Sequence, residues 1–516
     1  MLERRDFLKT FLASGTGALL LSESAQALTT TLRLSQADGP WEIFFPQILN
    51  RIKAPVFPKR DFDVTKFGAM GDGKIDCTDA FRKAIDACHR SGGGRVVVSA
   101  GEFSTGAIHL KSNVNLHLAR RATIKFSQDP RKYLPNVFTR WEGMELMSYS
   151  PLIYAFEQKN IAITGEGIID GQADCEHWWP WKGRTGCGWK KGDPEQSKAR
   201  GLLYEYVAKG TPVSERIFGE GSYLRPMFLQ PYRCQNVLIE GVTLRRSPMW
   251  QIHPVLCTNV TVRGVHIERE ANATDETGPN TDGCDPESCR DVLIENCAFA
   301  TGDDCIAINS GRNNDGRRVA VPSENIIIRG CQMKDGHGAI TVGSQISGGV
   351  RNVFAENCHF DSPNLWMALR FKNNALRGGR LENFYYRNIK VGQVRDAVLT
   401  VDFNYEEGDK GPFTPVVRNV VVNNLCSGKS TRVLDLQGFK TAPIYDVRLE
   451  NCMFDNVAKE NILKNVQGLA LHNVRVNGKL LSEPPAVAGG LYSPDAIARC
   501  DEHSFSGESV SRKTNL

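Results

Sequence analysis

The sequence has little net charge and no long hydrophobic segment. Its 516 residues include 63 Lys and Arg against 58 Asp and Glu, a difference of +5. This balance does not favour nucleic-acid binding, which needs a strongly basic surface. After the first thirty residues, no apolar run approaches the ~18 residues that are needed to cross a bilayer. We therefore expect neither a nucleic-acid partner nor stable membrane insertion, and the composition is that of a globular protein.

Metal-binding cysteine motifs are also missing. None of the 15 cysteines belongs to a Cys-x-x-Cys pair, so a structural zinc site has no support. Four cysteines instead occupy one position of a repeated phrase, as small side chains stacked in a core do: Cys297, Cys331, Cys358 and Cys452. The sequence allows a disulfide between Cys175 and Cys187, or between Cys284 and Cys289.

The first residues have the features of an export signal. Arg4 and Arg5 precede a short apolar segment at 11–21, and small residues at 25–27 suit a cleavage site. This order is typical of a twin-arginine signal peptide, although an amphipathic surface helix is the alternative. We therefore predict a signal peptide over residues 1–27 and a periplasmic or secreted protein.

Phrases of nine residues recur along the chain. Successive copies begin 23, 32, 34, 27, 31, 36 and 27 residues apart, at Asn236, Asn259, Asp291, Asn325, Asn352, Asn383, Asn419 and Asp446. Apolar and polar residues alternate on both sides of a central bend, which indicates two short strands per phrase. Leucine-rich repeats have units of similar length, but their leucine frame is missing. The pattern predicts an all-β fold, a right-handed parallel β-helix with strands about 4.8 Å apart.

These repeats define the predicted domain organisation. A lead-in segment over 28–60 precedes one β-helix domain over 61–482, and a loose tail over 483–516 follows it. A solenoid must cover its open end, and residues 78–88 predict an N-terminal capping helix with one apolar face. The segment of about 175–233 breaks the period and is predicted to be an insertion.

Placing neighbouring coils in register brings polar side chains together. Asp303 and His337 each lie 12 residues after the start of their own phrase, so they are predicted to stack on adjacent coils. Asp304 follows directly, and Asp282 precedes the corresponding strand of the coil before. Trp250, one coil earlier again, is predicted to lie near the same face.

The following coil adds two cations to this face, Arg370 and Lys372. Glycoside hydrolysis needs a carboxylic acid and a second carboxylate, and a separation of ~6.5–9.5 Å between them predicts inversion. Crowding of Asp303 and Asp304 is expected to raise the pKa of one of them, and the nearby cations suit an acidic substrate. Taken singly, these residues are also common in turns and on solvated strands.

Four motifs in this region resemble the signatures of glycoside hydrolase family 28, the polygalacturonases. They are Asn280-Thr281-Asp282-Gly283, Gly302-Asp303-Asp304, Gly336-His337-Gly338 and Arg370-Phe371-Lys372. The resemblance begins at about residue 62 and continues past residue 446. Phe371 departs from the family, which commonly has Ile there, without changing the charge.

The resemblance implies an inverting hydrolase of α-1,4-galacturonosidic bonds in pectin or polygalacturonate, with no metal and no cofactor. Asp303 would be the general acid, and Asp282 and Asp304 would hold and activate water. His337 would tune the acid.

The resemblance also implies a partner, an acidic polysaccharide or oligosaccharide. Arg370 and Lys372 would bind a galacturonate carboxylate, and Tyr405 matches a substrate-contacting tyrosine of the family. The Ser310-Gly311-Arg312 stretch and the long insertion look similar to bacterial members that cleave at chain ends. Exo-action is therefore expected. Separately, we expect a monomer.

Three alternatives remain open at this point. A pectate lyase shares the solenoid but acts by β-elimination with calcium. A non-catalytic glycan-binding solenoid would tolerate loss of the carboxylates. A hydrolase of the same family could instead act on rhamnogalacturonan or xylogalacturonan.

Overall fold

The computed structural model of the protein describes residues 39–269 and 278–481. The predicted signal peptide at 1–27 and the predicted tail at 483–516 lie outside the described residues. Within the described ranges, no helix is long and apolar enough to span a membrane.

Helices are few in the described part of the chain. The α-helices are α1 (Phe44–Arg51), α2 (Thr78–Arg90), α3 (Ser197–Lys209) and α4 (Asn313–Val319). Helix α1 begins in a small unit that ends at Asn50, and the other elements belong to the unit that begins at Arg51. Short 3₁₀ helices cover Val64–Phe67, Pro130–Tyr133, Trp179–Lys182, Thr185–Cys187 and Val213–Glu215.

Short strands are the commonest regular element of the described chain. Strands β1–β18 cover, in order, Asp61–Asp63, Asp72–Asp76, Gly94–Val98, Gly101–Thr105, Ile108–His109, Val114–Leu118, Ala122–Phe126, Val137–Trp141, Met144–Ser148, Ile153–Phe156, Lys159–Gly165, Ile168–Asp170, Ile217–Phe218, Leu229–Tyr232, Gln235–Glu240, Thr243–Arg245, Thr258–Arg263 and His266–Glu268. Strands β19–β36 cover Arg290–Glu295, Ala298–Phe299, Ile306–Ile308, Ser323–Arg329, Gln332–Met333, Gly336–Val342, Val350–Glu356, His359–Phe360, Leu365–Lys372, Arg380–Val391, Ala397–Asp402, Val416–Ser427, Arg432–Gln437, Ile444–Phe454, Ile462–Lys464, Val466–Gln467, Ala470–Val476 and Lys479–Leu480.

Most strands stack in parallel on the equivalent strand of the next coil. One sheet contains 24 strands. A second column begins with β5, β10 and β14, passes through single bridges at Ile252 and Cys284, and continues through β21, β24, β27, β29, β31 and β33. Within the described ranges, only the pairs β8–β9 and β35–β36 are antiparallel. The predicted right-handed parallel β-helix is confirmed.

The residue that opens each phrase bends the chain within its own strand, as Asn325 does in β22. Asn325, Asn352 and Asn383 have φ of 59°, 58° and 65°, in the left-handed region that Asn tolerates better than most residues. Their side chains also form a ladder: Asn352 Nδ2 donates to Asn325 Oδ1 at 3.1 Å, and Asn383 Nδ2 donates to Asn352 Oδ1 at 3.1 Å. One residue type therefore supplies both the turn and a bond between coils.

Cysteines fill the core as the sequence predicts. Cys297, Cys331, Cys358 and Cys452 are free and buried. Of the two possible disulfides, Cys175–Cys187 forms within the insertion. Cys284 and Cys289 remain free and buried in the coils.

Helix α2 covers the end of the solenoid, as predicted. Its buried side chains lie on one face: Ala80, Phe81, Ala84, Ile85 and Cys88. Asp76 Oδ1 accepts the backbone N–H of Thr78 at 2.9 Å, which satisfies a donor at the helix start. Burial of Phe81 alone contributes ~2 kcal/mol.

We predict that the Asn ladder stabilises the fold through both the bend and the side-chain bonds. Asn352→Ala should lower the free energy of unfolding by ~2 kcal/mol, because it strains a left-handed residue and removes two hydrogen bonds. Asn352→Gly should cost less, because it keeps the bend and loses only the bonds. Denaturant unfolding of the two variants checks this, and equal stabilities would contradict the role of the bend.

Candidate functional site

The strand register brings the predicted site residues together. Ile306 of β21 pairs with Ile340 of β24, as the sequence alignment of the coils predicts. The backbone N–H of His337 donates to Asp303 O at 3.1 Å, and that of Gly283 donates to Asp304 O at 3.0 Å. Stacking therefore places Asp303 beside His337, and Asp282 beside Asp304, on adjacent coils.

Three carboxylates form the centre of the site. One oxygen each from Asp282, Asp303 and Asp304 lies within 4.8 Å of the others. This nearest-oxygen spacing is shorter than the ~6.5–9.5 Å carboxyl separation that predicts inversion, so the spacing alone does not indicate the stereochemistry. Asp282 is buried, and its Oδ1 has no hydrogen-bond partner among the described residues. This oxygen is a free acceptor for a water or hydroxyl group.

Asp303 and His337 form a tight pair. His337 Nδ1 lies 2.9 Å from Asp303 Oδ1, and Asn280 Nδ2 donates to Asp303 Oδ2 at 3.3 Å. Burial opposes ionisation of Asp303, but the charge and hydrogen bond of His337 outweigh it and hold the pKa of Asp303 well below its usual range. Burial likewise opposes protonation of His337, and Asp303 overcomes it, so the pKa of His337 is raised. The proton of this pair therefore resides on the imidazole.

The crowding of carboxyls acts on a different residue from the one expected. Burial, then the charges of Asp303, Asp285 and Asp304, raise the pKa of Asp282 well above its usual range. The same is true of Asp285, whose two oxygens are buried without a partner among the described residues. The expectation that Asp303 or Asp304 would have the raised pKa is wrong for Asp303, because His337 stabilises its charge.

The two predicted cations contact Asp304. Lys372 Nζ donates to Asp304 Oδ2 at 2.7 Å, and Arg370 Nη1 donates to Oδ1 at 3.3 Å. Thr341 Oγ1 also donates to Oδ1, at 2.9 Å. Arg370 and Lys372 thus neutralise a site carboxylate as well as lining the pocket, and their remaining N–H groups are available to a ligand.

The site lies in a pocket of about 400 Å³. This volume is within the range of small-ligand sites. All the predicted site residues line it except Asp304, which lies beneath Arg370 and Lys372. Trp250 lines it as well, as predicted. The ring of Tyr405 lies 5.7 Å from the Arg370 guanidinium carbon and 5.3 Å from Lys372 Nζ.

Sequence reasoning missed several residues that line the pocket. Trp366 is one coil beyond His337, and the centres of the two rings are 4.1 Å apart. The register could have found it, because Gly336 pairs with Leu365 and Gly338 with Met367. Others come from outside the regular coils, where no period predicts their position: Glu142, Lys182, Arg184, Arg200 and Glu406. Arg312, from the Ser310-Gly311-Arg312 stretch that the sequence analysis singles out, also lines the pocket.

The three carboxylates are the candidate cation ligands among the described residues. Arg370 and Lys372 already donate to both oxygens of Asp304, which opposes the binding of a further cation. Hydrolysis without a metal therefore stays a prediction.

Comparisons with known proteins agree with this geometry. The model of the glycosyl hydrolases family 28 matches residues 219–475, which include all the predicted site residues. The crystal structure of a hyperthermoactive exopolygalacturonase from Thermotoga maritima superposes with a TM-score of 0.81 at 44% identity, over 84% of this chain and 96% of that chain.

Curated sequences show the same relationship at lower identity. An exo-poly-alpha-D-galacturonosidase of Dickeya chrysanthemi is 29% identical over 412 residues, 74% of this chain and 65% of the relative. A polygalacturonase of Ralstonia solanacearum is 24% identical over 522 residues, 95% of this chain and 89% of the relative. The chain belongs to family 28 of the glycosyl hydrolases.

Proposed function

We propose that the protein hydrolyses α-1,4-galacturonosidic bonds of polygalacturonate, at chain ends and with inversion. The observation that carries this proposal is the joint placement of Asp282, Asp303 and His337 in one pocket with Arg370 and Lys372. Three carboxyls supply acid and base, and the cations suit a polymer with a carboxylate on every sugar. The similarity to the Thermotoga maritima exopolygalacturonase supports the same substrate class.

The acid step needs a proton on Asp303, which is ionised in the free site. Because Asp282 and Asp303 are within 4.8 Å, a proton on one carboxyl disfavours a proton on the other, and the two titrate as a coupled pair. We infer that the working state has this proton on Asp303 and not on Asp282. Asp303 then acts as the acid and Asp282 as the base.

In this state the electron movements balance. Asp282 accepts a proton from water, and the water oxygen forms a bond to the anomeric carbon. The bond from that carbon to the glycosidic oxygen breaks, and Asp303 gives its proton to the leaving oxygen. His337, 2.9 Å from Asp303, is placed to return a proton to it.

Action at chain ends is supported by the walls of the pocket. Lys182 and Arg184 belong to the insertion, Arg200 to helix α3, and Glu142 to the turn between β8 and β9. Arg200 Nε and Glu142 Oε2 are joined at 2.8 Å. Elements outside the regular coils thus line one side of the pocket. Cleavage within a chain would need an open groove on that side, because the substrate chain continues in both directions.

We predict that Asp303→Asn separates the two roles of Asp303. Hydrolysis should fall by ~10²–10⁴-fold, because the acid is lost. The pKa of His337 should also fall, because the carboxylate that raises it is gone while burial, which lowers it, remains. NMR titration of the His337 ring measures this, with His337→Gln to assign the signal and circular dichroism as the folding control. An unchanged pKa of His337 would contradict the pairing, and substantial residual turnover would remove Asp303 from the acid role.

The function is tested with oligogalacturonides of defined length in the presence of a chelator. Reducing ends should appear without near-ultraviolet absorbance, the terminal product should accumulate from the first time points, and proton NMR should show that this product is initially the β-anomer. The Asp303→Asn protein is the matched control.

Each of the other possible results identifies a different activity or function. Chelator-sensitive absorbance of an unsaturated product would indicate a lyase, and a ladder of intermediate lengths would indicate endo-action. An initial α-anomer would mean retention. Turnover of rhamnogalacturonan or xylogalacturonan alone would change the substrate within the family, and no turnover of any pectin would favour a glycan-binding solenoid.

We further propose that the protein is exported by the twin-arginine route and acts as a monomer. The support for the export route is the order of Arg4, Arg5 and the apolar segment in the sequence. Replacing both arginines by lysine should retain the protein in the cytoplasm, measured by cell fractionation against a cytoplasmic marker. Unchanged export would contradict the route, and a dimer mass in light scattering would contradict the monomer.

A further inference from the structure

The insertion brings an excess of positive charge to one side of the pocket. Lys182, Arg184 and Arg200 line the pocket there, and buried Arg225 lies beneath them. Glu142 is the acid that faces them, and the charges of Arg200 and Lys182 overcome its burial and lower its pKa to about 2. Arg312 also acts on Glu142, and the charge of a second carboxylate, Glu406, acts on Arg200.

Glu142 is occupied by other partners. Its Oε2 accepts from Arg200 Nε at 2.8 Å and from Tyr204 Oη at 3.0 Å. Lys182 Nζ instead donates to the neutral side chain of Asn280, at 2.7 Å. Arg184 is exposed and has no hydrogen bond or ion pair with any residue that the structure describes. Lys182 and Arg184 are therefore cations without a carboxylate partner in the described chain.

The electrostatic environment agrees with an anion site. Burial lowers the pKa of Lys182 to about 8, Glu142 opposes this, and the charges of Arg225, Arg200 and Arg184 add to it. Burial is the largest cause of this lowering, and the three arginine charges act in the same direction, against the charge of Glu142. A bound carboxylate would add a second negative charge that favours the ammonium form.

Lys182 and Arg184 lie on one side of Asp303, the proposed general acid, and Arg370 and Lys372 lie on the other. Asn280, which Lys182 contacts, is one coil before Asp303, and Arg370 is two coils after it. A sugar chain bound along the pocket would place a carboxylate near each end of this span, because every unit of polygalacturonate carries one. The cleaved bond would lie between them, at Asp303.

We propose that Lys182 and Arg184 form a second carboxylate subsite, which binds the terminal uronic acid of an oligogalacturonide across the cleaved bond from Arg370 and Lys372. This inference rests on the proposed function. The cations would hold the carboxylate of the sugar that enters the subsite. The wall of Arg200 and Glu142 beyond it would leave room for a terminal sugar and not for a continuing chain.

A direct role in binding differs measurably from a structural one. Lys182 also supports Asn280, which donates to Asp303, so loss of Lys182 could act on the acid alone. In that case kcat and the pH profile would change, and KM would not. A carboxylate subsite predicts the opposite pattern.

The test compares Lys182→Gln and Arg184→Gln with Lys190→Gln, an exposed lysine of the same insertion that is not part of the pocket lining. With trigalacturonate, each of the first two should raise KM about tenfold or more, the loss expected for a charged hydrogen bond, with kcat within about threefold of the unmodified protein. Added salt should raise KM less in these variants than in the unmodified protein. Lys190→Gln should match the unmodified protein.

Calorimetric titration with trigalacturonate repeats the comparison without turnover. Each protein then also carries Asp303→Asn. Weaker binding on loss of Lys182 or Arg184 supports the subsite even if no hydrolysis is observed, which separates it from failure of the proposed function. Unchanged KM and affinity in both variants would overturn the inference. A fall in kcat with a shifted pH profile and constant KM would overturn it too, in favour of a positioning role through Asn280.

Discussion

The backbone hydrogen bonds between neighbouring coils are the constraint on which the site depends. They fix Ile306 opposite Ile340, and this register sets Asp303 against His337. Because side chains alternate between the inside and outside of a strand, a slip of one residue between β21 and β24 would turn buried strand residues outward and would separate Asp303 from His337. The Asn ladder reinforces the same register at the bends. The geometry of the site is therefore set by coil stacking, together with the short segments before each strand that carry Asp282, Asp303 and Asp304.

Within this frame, the chemistry comes from unequal environments of similar groups. Asp303 faces an imidazole and favours its charge, whereas Asp282 is buried among carboxyls and favours its proton. Asp304 is held by Lys372 and Arg370. Three aspartates within 4.8 Å can thus have different roles, because their partners differ and not their covalent chemistry.

The sequence predicts those parts of the structure that follow the repeat of nine-residue phrases or another regular spacing. The coils, the cap at Thr78–Arg90, the stacked cysteines and the meeting of Asp303 with His337 all follow from spacing. The carboxyl with the raised pKa does not follow, because burial and coupling depend on side-chain placement in three dimensions. The position of Lys182 could not be predicted from the sequence either, since the insertion has no period that could place it beside Asn280.

The division between coils and insertion also explains how a site rich in carboxyl groups can receive an anionic polymer. In the proposed function the reaction uses Asp282 and Asp303, and the ionised one of the two repels a carboxylated substrate. The pocket offsets this with cations from two sources: Arg370 and Lys372 from the coils, and a cluster around Lys182 from the insertion. In a low-dielectric pocket each pairing is stronger than in water, so a substrate carboxylate is attracted to either side while the centre stays acidic. In the proposed function, the coils supply the reaction, and the insertion decides which part of a chain can reach it.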